Sequence, residues 1–282
     1  MSISVPTPRT TTAPEPLVPD VIVPLPAADG SRPHLPVLRG PGVYPAQRDT
    51  WLLADVLARE LLAASPTRRR VLELCAGAGA LSLVAAGVPG TDVTAVDVSR
   101  RALVSAWANA RRLGRRVRLH RGDLTAPVVG KRYDLVVSNP PYVPAADASL
   151  PTRGAMRAFD GGPDGRTVID RVIDSAPRVL APGGCLLLVH SAINGVGTTL
   201  EKLAAHGLDA DVAARCEHPF GPVFTARAAW LEQRGLIEPG QRTEELVVVR
   251  ARRPLVAAAR GSVEDTTDLV RVSGPVPAVQ ER

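Results

Sequence analysis

Residues 71–80 read Val-Leu-Glu-Leu-Cys-Ala-Gly-Ala-Gly-Ala, an apolar run that ends in two glycines spaced one residue apart. The run predicts a buried strand and the glycines predict a tight turn, because glycine lets the backbone turn sharply and a ligand approach closely. The third glycine of the dinucleotide fingerprint is absent, since Ser82 stands in its place. Glu73 precedes the turn, where a carboxylate would repel a phosphate and attract an ammonium group. The stretch therefore predicts a nucleoside-like, cationic ligand.

Strands and helices alternate on both sides of this stretch. The predicted strands are residues 70–75, 92–97, 116–120, 133–138, 185–190 and 245–250, with a weaker one at 210–217. The predicted helices run from Asp49 or Thr50, as the capping residue, to Leu62, from about residue 79, and over residues 100–112, 165–180 and 196–206. Such alternation predicts an α/β fold in which helices cover both faces of a mainly parallel sheet. Ligands of such sheets bind beyond the carboxyl ends of the strands.

The chain divides by composition into three parts. Residues 1–41 hold scattered prolines and few periodic apolar positions, so we expect a mostly disordered arm. The alternating pattern fills residues 42–253, which we expect to form one domain. The pattern is lost again in residues 254–282, for which we expect a flexible tail.

The chain is basic, with 34 lysines and arginines against 28 acids and a formal net charge of +6. Basic chains find phosphate backbones at long range, so a nucleic-acid partner is possible. We do not favour it, because acids are mixed among the basic residues and solvated faces explain such clusters.

The three cysteines, Cys75, Cys185 and Cys216, are odd in number and widely spaced. This spacing argues against a disulfide framework and a zinc site, and it indicates a reducing compartment. No apolar run approaches the length of a membrane span, and the first residues lack the pattern of a secretory signal. We therefore expect a cytoplasmic protein without a metal site or a membrane segment.

Two further acids lie at the ends of predicted strands. Asp97 closes the second strand, where its carboxylate would accept hydrogen bonds from the hydroxyls of a ribose. Asp123 follows the third strand, placed to accept from an adenine amino group beside the apolar Leu124; either acid alone is also explained as a helix cap. Acids at three successive strand ends around a glycine turn resemble the class I S-adenosylmethionine-dependent methyltransferases. That resemblance implies S-adenosylmethionine as cofactor and a Rossmann-like sheet of seven strands whose last strand runs antiparallel.

Residues 138–143 read Ser-Asn-Pro-Pro-Tyr-Val, directly after a predicted core strand. The prolines cannot continue a strand and they stiffen the corner at Asn139, although a simple strand terminator would look the same. Beside the implied cofactor, residues 139–142 match the [ND]PP[YFW] motif of methyltransferases that modify amide or exocyclic amino nitrogens. The resemblance gives catalytic roles to Asn139 and Pro140, whose oxygens would accept the two N–H bonds, and to Tyr142, which would stack on the planar group. Positioning and electrostatics would then drive the transfer.

Two more stretches resemble the HemK-type protein-glutamine methyltransferases that modify peptide-chain release factors. Residues 43–53 are similar to the family's VYxPxEDTxLL segment, whose Asp-Thr pair lies near the methionine end of the cofactor, and residues 159–165 are similar to its DGGxDG loop. Arg48 replaces the usual acid of the first segment, which puts contacts there in doubt. Together the resemblances imply cofactor-binding positions at Thr50, Glu73, Cys75 (through backbone and packing), Gly77, Gly79, Asp97, Asp123, Leu124 and Asn139.

We expect the helical N-terminal domain of the bacterial members to be absent, because residues 1–41 are too short and too rich in proline to form it. The chain therefore looks like the compact branch of the family, whose members act with a small partner subunit. The leading hypothesis is methylation of a glutamine side-chain amide in a protein such as a release factor. The alternatives are adenine-N6 methylation of DNA or RNA, N-methylation of a small molecule or peptide natural product, and a cofactor-binding module that has lost catalysis.

Overall fold

The computed structural model describes residues 35–63 and 69–255. Most of the predicted arm and most of the predicted tail lie outside these residues, so the boundaries of the three parts stay predictions. Residues 35–40 are described, and they pack on the rest of the chain. The backbone of Leu38 exchanges hydrogen bonds with the buried side chain of Asn109, at 2.9 Å to Oδ1 and 2.7 Å from Nδ2. Gly40 N–H donates to the Ser105 hydroxyl at 3.0 Å.

The described chain alternates between strands and helices, as the sequence predicts. The strands are β1 Arg69–Leu74, β2 Thr91–Asp97, β3 Val117–Arg121, β4 Tyr133–Ser138, β5 Leu180–Ser191, β6 Asp209–Pro219 and β7 Thr243–Arg252. The α-helices are α1 Arg48–Leu62, α2 Ala80–Ala85, α3 Arg100–Arg112, α4 Thr167–Ser175, α5 Val196–Ala205 and α6 Pro222–Gln233.

All seven strands form one sheet in the order β3-β2-β1-β4-β5-β7-β6. Neighbours pair in parallel from β3 across to β5, whereas β7 pairs antiparallel with both β5 and β6. The predicted fold, a mainly parallel seven-stranded sheet whose last strand is antiparallel, is confirmed. Because β7 runs in the opposite direction, its first residues lie at the same edge of the sheet as the carboxyl ends of the parallel strands.

Helices cover both faces of the sheet, because successive residues of each strand point to opposite sides. On one face, Leu57 of α1 and Leu81 of α2 pack with Val137 and Leu187. On the other face, Ile169 of α4 and residues of α5 and α6 pack with the neighbouring strand positions. Within the described residues, no helix is both long and apolar enough to cross a membrane.

Three details of the predicted elements were wrong. Helix α1 begins at Arg48, and Gln47 occupies its N-cap without a side-chain hydrogen bond, so neither Asp49 nor Thr50 is the cap. The helix predicted over 165–180 ends at Ser175, because Pro177 lacks the N–H that a helix interior requires, and β5 then begins at Leu180. Helix α6 was not predicted at all, although Phe224, Ala228 and Leu231 recur on one face at the spacing of a helix and are buried.

Candidate active site

A cavity of about 750 Å³ opens at the edge of the sheet where the parallel strands end. Its volume lies within the range of cavities that enclose small ligands, roughly 300–1,000 Å³. Polar side chains at the ends of five strands line it, together with the start of α1 and the segment 150–159. These strand-end side chains are Glu73, Asp97, Asp123, Asn139 and Glu244.

The buried carboxylate of Asp49 lies at the centre of a hydrogen-bond network in this cavity. Asp49 is 3% exposed, and its Oδ2 accepts from the hydroxyls of Tyr44 at 2.7 Å and Tyr142 at 3.1 Å and from Nδ2 of Asn139 at 3.0 Å. Its Oδ1 accepts from the backbone N–H of Thr50 at 2.6 Å and from the Thr50 hydroxyl at 3.2 Å. Five donors from four residues therefore converge on this one carboxyl group, whose oxygens serve here only as acceptors.

These contacts decide how the amide of Asn139 is turned. Its Nδ2 donates to Asp49 and, at 3.1 Å, to the hydroxyl of Thr50. The opposite orientation would set the Asn139 oxygen against the Asp49 carboxylate, acceptor against acceptor, so the network fixes the assignment. Within residues 35–63 and 69–255, no group donates to Oδ1 of Asn139 or to the carbonyl of Pro140. Two oxygens of the proline corner are therefore free to accept hydrogen bonds from a ligand.

The backbone after the two prolines is held by the glycine-rich loop of residues 160–165. Val143 N–H donates to the Phe159 carbonyl at 2.8 Å, and Gly161 N–H donates to the Val143 carbonyl at 2.9 Å. The loop approaches so closely that a Cβ on Gly165, whose φ is +75°, would lie 2.1 Å from the Tyr142 carbonyl oxygen. Only glycine fits there, for reasons of both φ and space.

Two long-range side-chain contacts secure the same loop. Asn194 Nδ2 donates to the carbonyls of Tyr142 at 2.8 Å and Asp164 at 3.0 Å. Arg227 of α6 forms an ion pair with Asp160 at 2.6 Å and donates to the Pro144 carbonyl at 2.8 Å. The unpredicted helix α6 thus contacts both the loop and the segment that follows the two prolines.

The turn after β1 supplies the other half of the cavity. Gly77 lines it, and a Cβ at Gly77 would meet no atom within 4 Å, so its backbone borders open space. Gly77 N–H and Ser99 N–H both donate to Asp97, at 2.8 and 2.7 Å, so the end of β2 is tied to the turn. Burial raises the pKa of the Asp97 carboxyl, and these two backbone hydrogen bonds oppose the rise.

Glu73 lines the cavity but also binds the protein. Its Oε2 accepts from the backbone N–H of Ser82 at 2.8 Å and from the Ser82 hydroxyl, so the carboxylate holds the start of α2. Burial raises the pKa of Glu73 to about 7, while the Ser82 hydrogen bonds lower it and the charge of Asp97 raises it further. A cation in the cavity would favour the ionised form of this carboxyl.

Two residues of the cavity wall have strained backbones. Cys75 and Leu124, which follow β1 and β3, have φ values of +57° and +44°, a region that side chains other than glycine rarely adopt. Such strain concentrates at ligand sites, where the surrounding structure enforces it. Burial raises the pKa of the Cys75 thiol to about 12, so the thiol is neutral and contributes packing and backbone rather than a nucleophile.

The comparisons with known proteins agree with this geometry. The family model "Methyltransferase small domain" matches residues 34–156. The putative protein N5-glutamine methyltransferase of Methanocaldococcus jannaschii is 30% identical over 188 residues, which cover 67% of this chain and 92% of that protein. The chain belongs to the HemK-type protein-glutamine methyltransferases. This family lies within the class I S-adenosylmethionine-dependent methyltransferases, so the predicted family and cofactor are confirmed.

Other relatives match over a smaller share of their length. The ribosomal protein uL3 glutamine methyltransferase of Bradyrhizobium diazoefficiens is 47% identical over 125 residues, which cover 42% of this chain and 39% of that protein. The chain spans about half the length of release factor glutamine methyltransferases such as that of Gloeobacter violaceus, at 50%. Among solved structures, Mtq2 from the E. cuniculi Mtq2–Trm112 complex has a TM-score of 0.52 at 23% identity, covering 75% of this chain and 99% of that one. At that identity the likeness supports the fold alone.

In this HemK-type chain, almost all of the predicted site residues line one cavity. They are Thr50, Glu73, Cys75, Gly77, Asp97, Asp123, Leu124, Asn139, Pro140 and Tyr142. Their individual roles stay predictions. Asp123 is the most exposed of the acids, and its carboxylate pairs with Arg171 of α4.

Gly79 is the exception among the predicted residues, because it does not line the cavity. Its φ is +81°, and a Cβ there would lie 3.0 Å from Cβ of Ala106 on α3. The glycine is therefore required by the backbone and by the packing of α3, rather than by the approach of a ligand. Arg48, the departure from the family pattern, lines the cavity and directs Nε at the Cys216 sulfur at 3.3 Å.

Sequence reasoning missed two acids of this site. The resemblance places the Asp49-Thr50 pair near the methionine end of the cofactor, but only Thr50 is among the predicted site residues. Glu244 lies one position before the predicted strand 245–250 and received no predicted role; it is 5% exposed and lines the cavity. The direction of β7, which brings Glu244 to the ligand edge of the sheet, was the signal that would have found it.

Proposed function

We propose that this chain transfers the methyl group of S-adenosylmethionine to the side-chain amide nitrogen of a glutamine in a protein, with a peptide-chain release factor as the first candidate acceptor. The observation that carries the proposal is the pair of free oxygens at the proline corner. Oδ1 of Asn139 and the carbonyl of Pro140 match a group with two N–H bonds, such as a carboxamide.

The residues present fit the cofactor of the family. The cavity has the volume for a nucleoside-sized ligand, and the Gly77 backbone borders open space beside it. Asp97 at the end of β2 retains lone pairs beyond its two backbone hydrogen bonds and would accept from ribose hydroxyls. The Glu73 carboxylate would attract the cationic end of S-adenosylmethionine. When bound, S-adenosylmethionine supplies an electrophilic methyl group on a positively charged sulfur.

The protein contributes positioning to the reaction. An amide nitrogen is a weak nucleophile because its lone pair is delocalised into the carbonyl. Asn139 and Pro140 would hold both N–H bonds, which directs the nitrogen lone pair and increases electron density on the nitrogen. The new N–C bond would replace the S–C bond of the methyl donor, and one of the two N–H protons would be released to water. Asp49 and Thr50 fix the Asn139 amide before the acceptor arrives, so no reorganisation is needed at the moment of transfer.

The proposal also names the class of protein that is methylated and a partner subunit. The names of the relatives support an acceptor that belongs to the translation machinery. Several relatives are named for release factors and another for ribosomal protein uL3. An acceptor of that kind would place the enzyme in the cytoplasm. The Mtq2 structure was solved with Trm112, which motivates a small partner subunit for this chain as well.

The test is transfer of labelled methyl from S-adenosylmethionine to a panel of release factors, ribosomal proteins, DNA, RNA and a small-peptide extract. The critical variant is Asn139→Ala. A matched control is Asp134→Asn, which alters a half-buried side chain at the other end of the same strand and keeps an oxygen that can accept from the Arg70 N–H. We expect label on a protein acceptor with the wild-type and control chains and strongly reduced label with Asn139→Ala. Label on nucleic acid or on small molecules alone would refute the proposed acceptor class.

A further inference from the structure

Glu244 lies on the acceptor side of the catalytic corner. Asn139 directly follows β4, and the cofactor-side acids Glu73 and Asp97 lie at the carboxyl ends of β1 and β2, on one side of β4 in the sheet. Glu244 lies near the start of β7, which follows β5 on the opposite side of β4. The strand order therefore separates Glu244 from the cofactor half of the cavity.

The carboxylate of Glu244 is not satisfied by the protein. It is 5% exposed, and its Oε2 has no hydrogen-bond partner among the described residues. The side chain of Ser191 is its hydrogen-bonding neighbour, and Asp49 adds a second negative charge nearby. The hydroxyls of Tyr44 and Tyr142 both donate to Asp49 instead. Burial, with the charge of Asp49, raises the pKa of Glu244 to about 7.

A buried polar atom without a partner costs free energy, and a protein retains it where function needs it. If Glu244 served only packing, an apolar side chain could take its place without leaving an unpaired oxygen. Its position in the wall of the cavity instead makes the free oxygen available to whatever enters the acceptor side.

We propose that Glu244 binds the acceptor: its free Oε2 accepts a hydrogen bond from an N–H group of the peptide that carries the target amide. The inference rests on the proposed function and narrows its acceptor class. Two acids beside each other repel a phosphate-bearing chain and suit a neutral donor, which is what a peptide backbone or a side-chain amide offers.

The experiment compares Glu244→Met with Glu245→Met. Methionine keeps the length of the side chain and removes the acceptor atoms. Glu245 is the next residue of β7; it is more exposed, pairs with Arg215 at 2.5 Å and does not line the cavity, so it is the matched control. The measured quantities are KM and kcat for the protein acceptor found by label transfer, the Kd of S-adenosylmethionine, and Tm.

At pH 8, above the Glu244 pKa of about 7, we expect Glu244→Met to raise the acceptor KM about 10- to 100-fold, the equivalent of one hydrogen bond to a charged group, without a change in cofactor Kd. We also expect Tm to rise, because the variant removes a buried and unpaired carboxylate. Glu244→Gln should recover part of the lost KM, since its amide oxygen still accepts. Glu245→Met should leave KM at the wild-type value.

An unchanged acceptor KM in Glu244→Met would overturn the inference, and so would a lower Tm, which would show that the carboxylate is a satisfied structural group. Label on nucleic acid alone would contradict both this inference and the proposed function. If no member of the panel takes label, the proposed function fails and the inference, which rests on it, fails with it; a labelled protein acceptor with an unchanged KM in Glu244→Met overturns the inference alone.

Discussion

Replacement of Asp49 by asparagine tests whether this buried carboxylate affects methyl transfer by orienting the Asn139 amide. In the wild-type chain, Oδ2 of Asp49 receives three donors and Oδ1 receives the Thr50 N–H at 2.6 Å. The new amide has one oxygen, so its NH₂ must face either the three donors or the Thr50 N–H. In the first arrangement Asn139 relieves the clash by turning its own amide over, which points NH₂ rather than Oδ1 at the acceptor.

The magnitude follows from the bonds that are lost. A hydrogen bond to a charged group contributes about 1.5–3 kcal/mol, and the variant leaves at least one donor of this set unpaired. We expect the free energy of unfolding to fall by roughly that amount. Loss of one preorganised contact to the reacting group, of about 1.4–2.7 kcal/mol, lowers kcat about 10- to 100-fold. The Kd of S-adenosylmethionine should change little, because the damage lies at the amide.

The assay is single-turnover transfer of labelled methyl, with Asp49→Asn, Asn139→Ala and the double variant compared at saturating cofactor. If Asp49 acts by orienting Asn139, its substitution costs less than about threefold in rate once Asn139 is already alanine. The reasoning is refuted if Asp49→Asn alone keeps kcat within about threefold of wild type. Fully additive losses in the double variant would equally show that the two residues act separately.

Three further predictions concern the loop, the cofactor half and the thiol. Gly165→Ala should lower Tm and abolish transfer, because its Cβ would lie 2.1 Å from the Tyr142 carbonyl oxygen. Gly130→Ala is the control, since Gly130 has a φ of +81° but no atom lies within 4 Å of the new Cβ. It should lower the free energy of unfolding, measured by chemical denaturation, by only about 1 kcal/mol. The affinity for S-adenosylmethionine, measured by calorimetry, should rise from pH 6 to pH 8. Glu73, with a pKa of about 7, is protonated at the lower pH, and a bound cation favours its ionised form. Glu73→Gln should remove this pH dependence, and an unchanged pH dependence in the variant would assign the effect to another group. Cys75→Ala should retain transfer within about threefold, since a thiol with a pKa of about 12 is neutral at working pH, and a complete loss of label would contradict that role.

The sequence predicts the parallel part of the sheet closely because strands buried on both faces are continuous apolar runs. The predicted strand at 133–138 coincides with β4, and those at 70–75 and 92–97 differ from β1 and β2 by one residue. The site follows from the same pattern, since the polar residues after these strands converge at one edge of the sheet. Ten of the eleven predicted site residues accordingly line the cavity.

Long-range contacts account for what the sequence did not predict. Asp49 and Tyr142 are separated by 93 positions, and their hydrogen bond depends on how α1 packs against the end of β4. Glu244 reaches the site only because β7 enters the sheet antiparallel beside β5. Glu73 was expected to face a cation alone, but the start of α2 folds back onto its carboxylate. Each case depends on the geometry between elements, which local patterns do not encode.

The most direct test of the central claim is tandem mass spectrometry of a release factor after incubation with the chain and S-adenosylmethionine. The account predicts one added methyl group on the side-chain amide nitrogen of a glutamine, present with wild-type protein and strongly reduced with Asn139→Ala. A methyl group on any other atom of the acceptor, or equal modification by the Asn139→Ala variant, would contradict it.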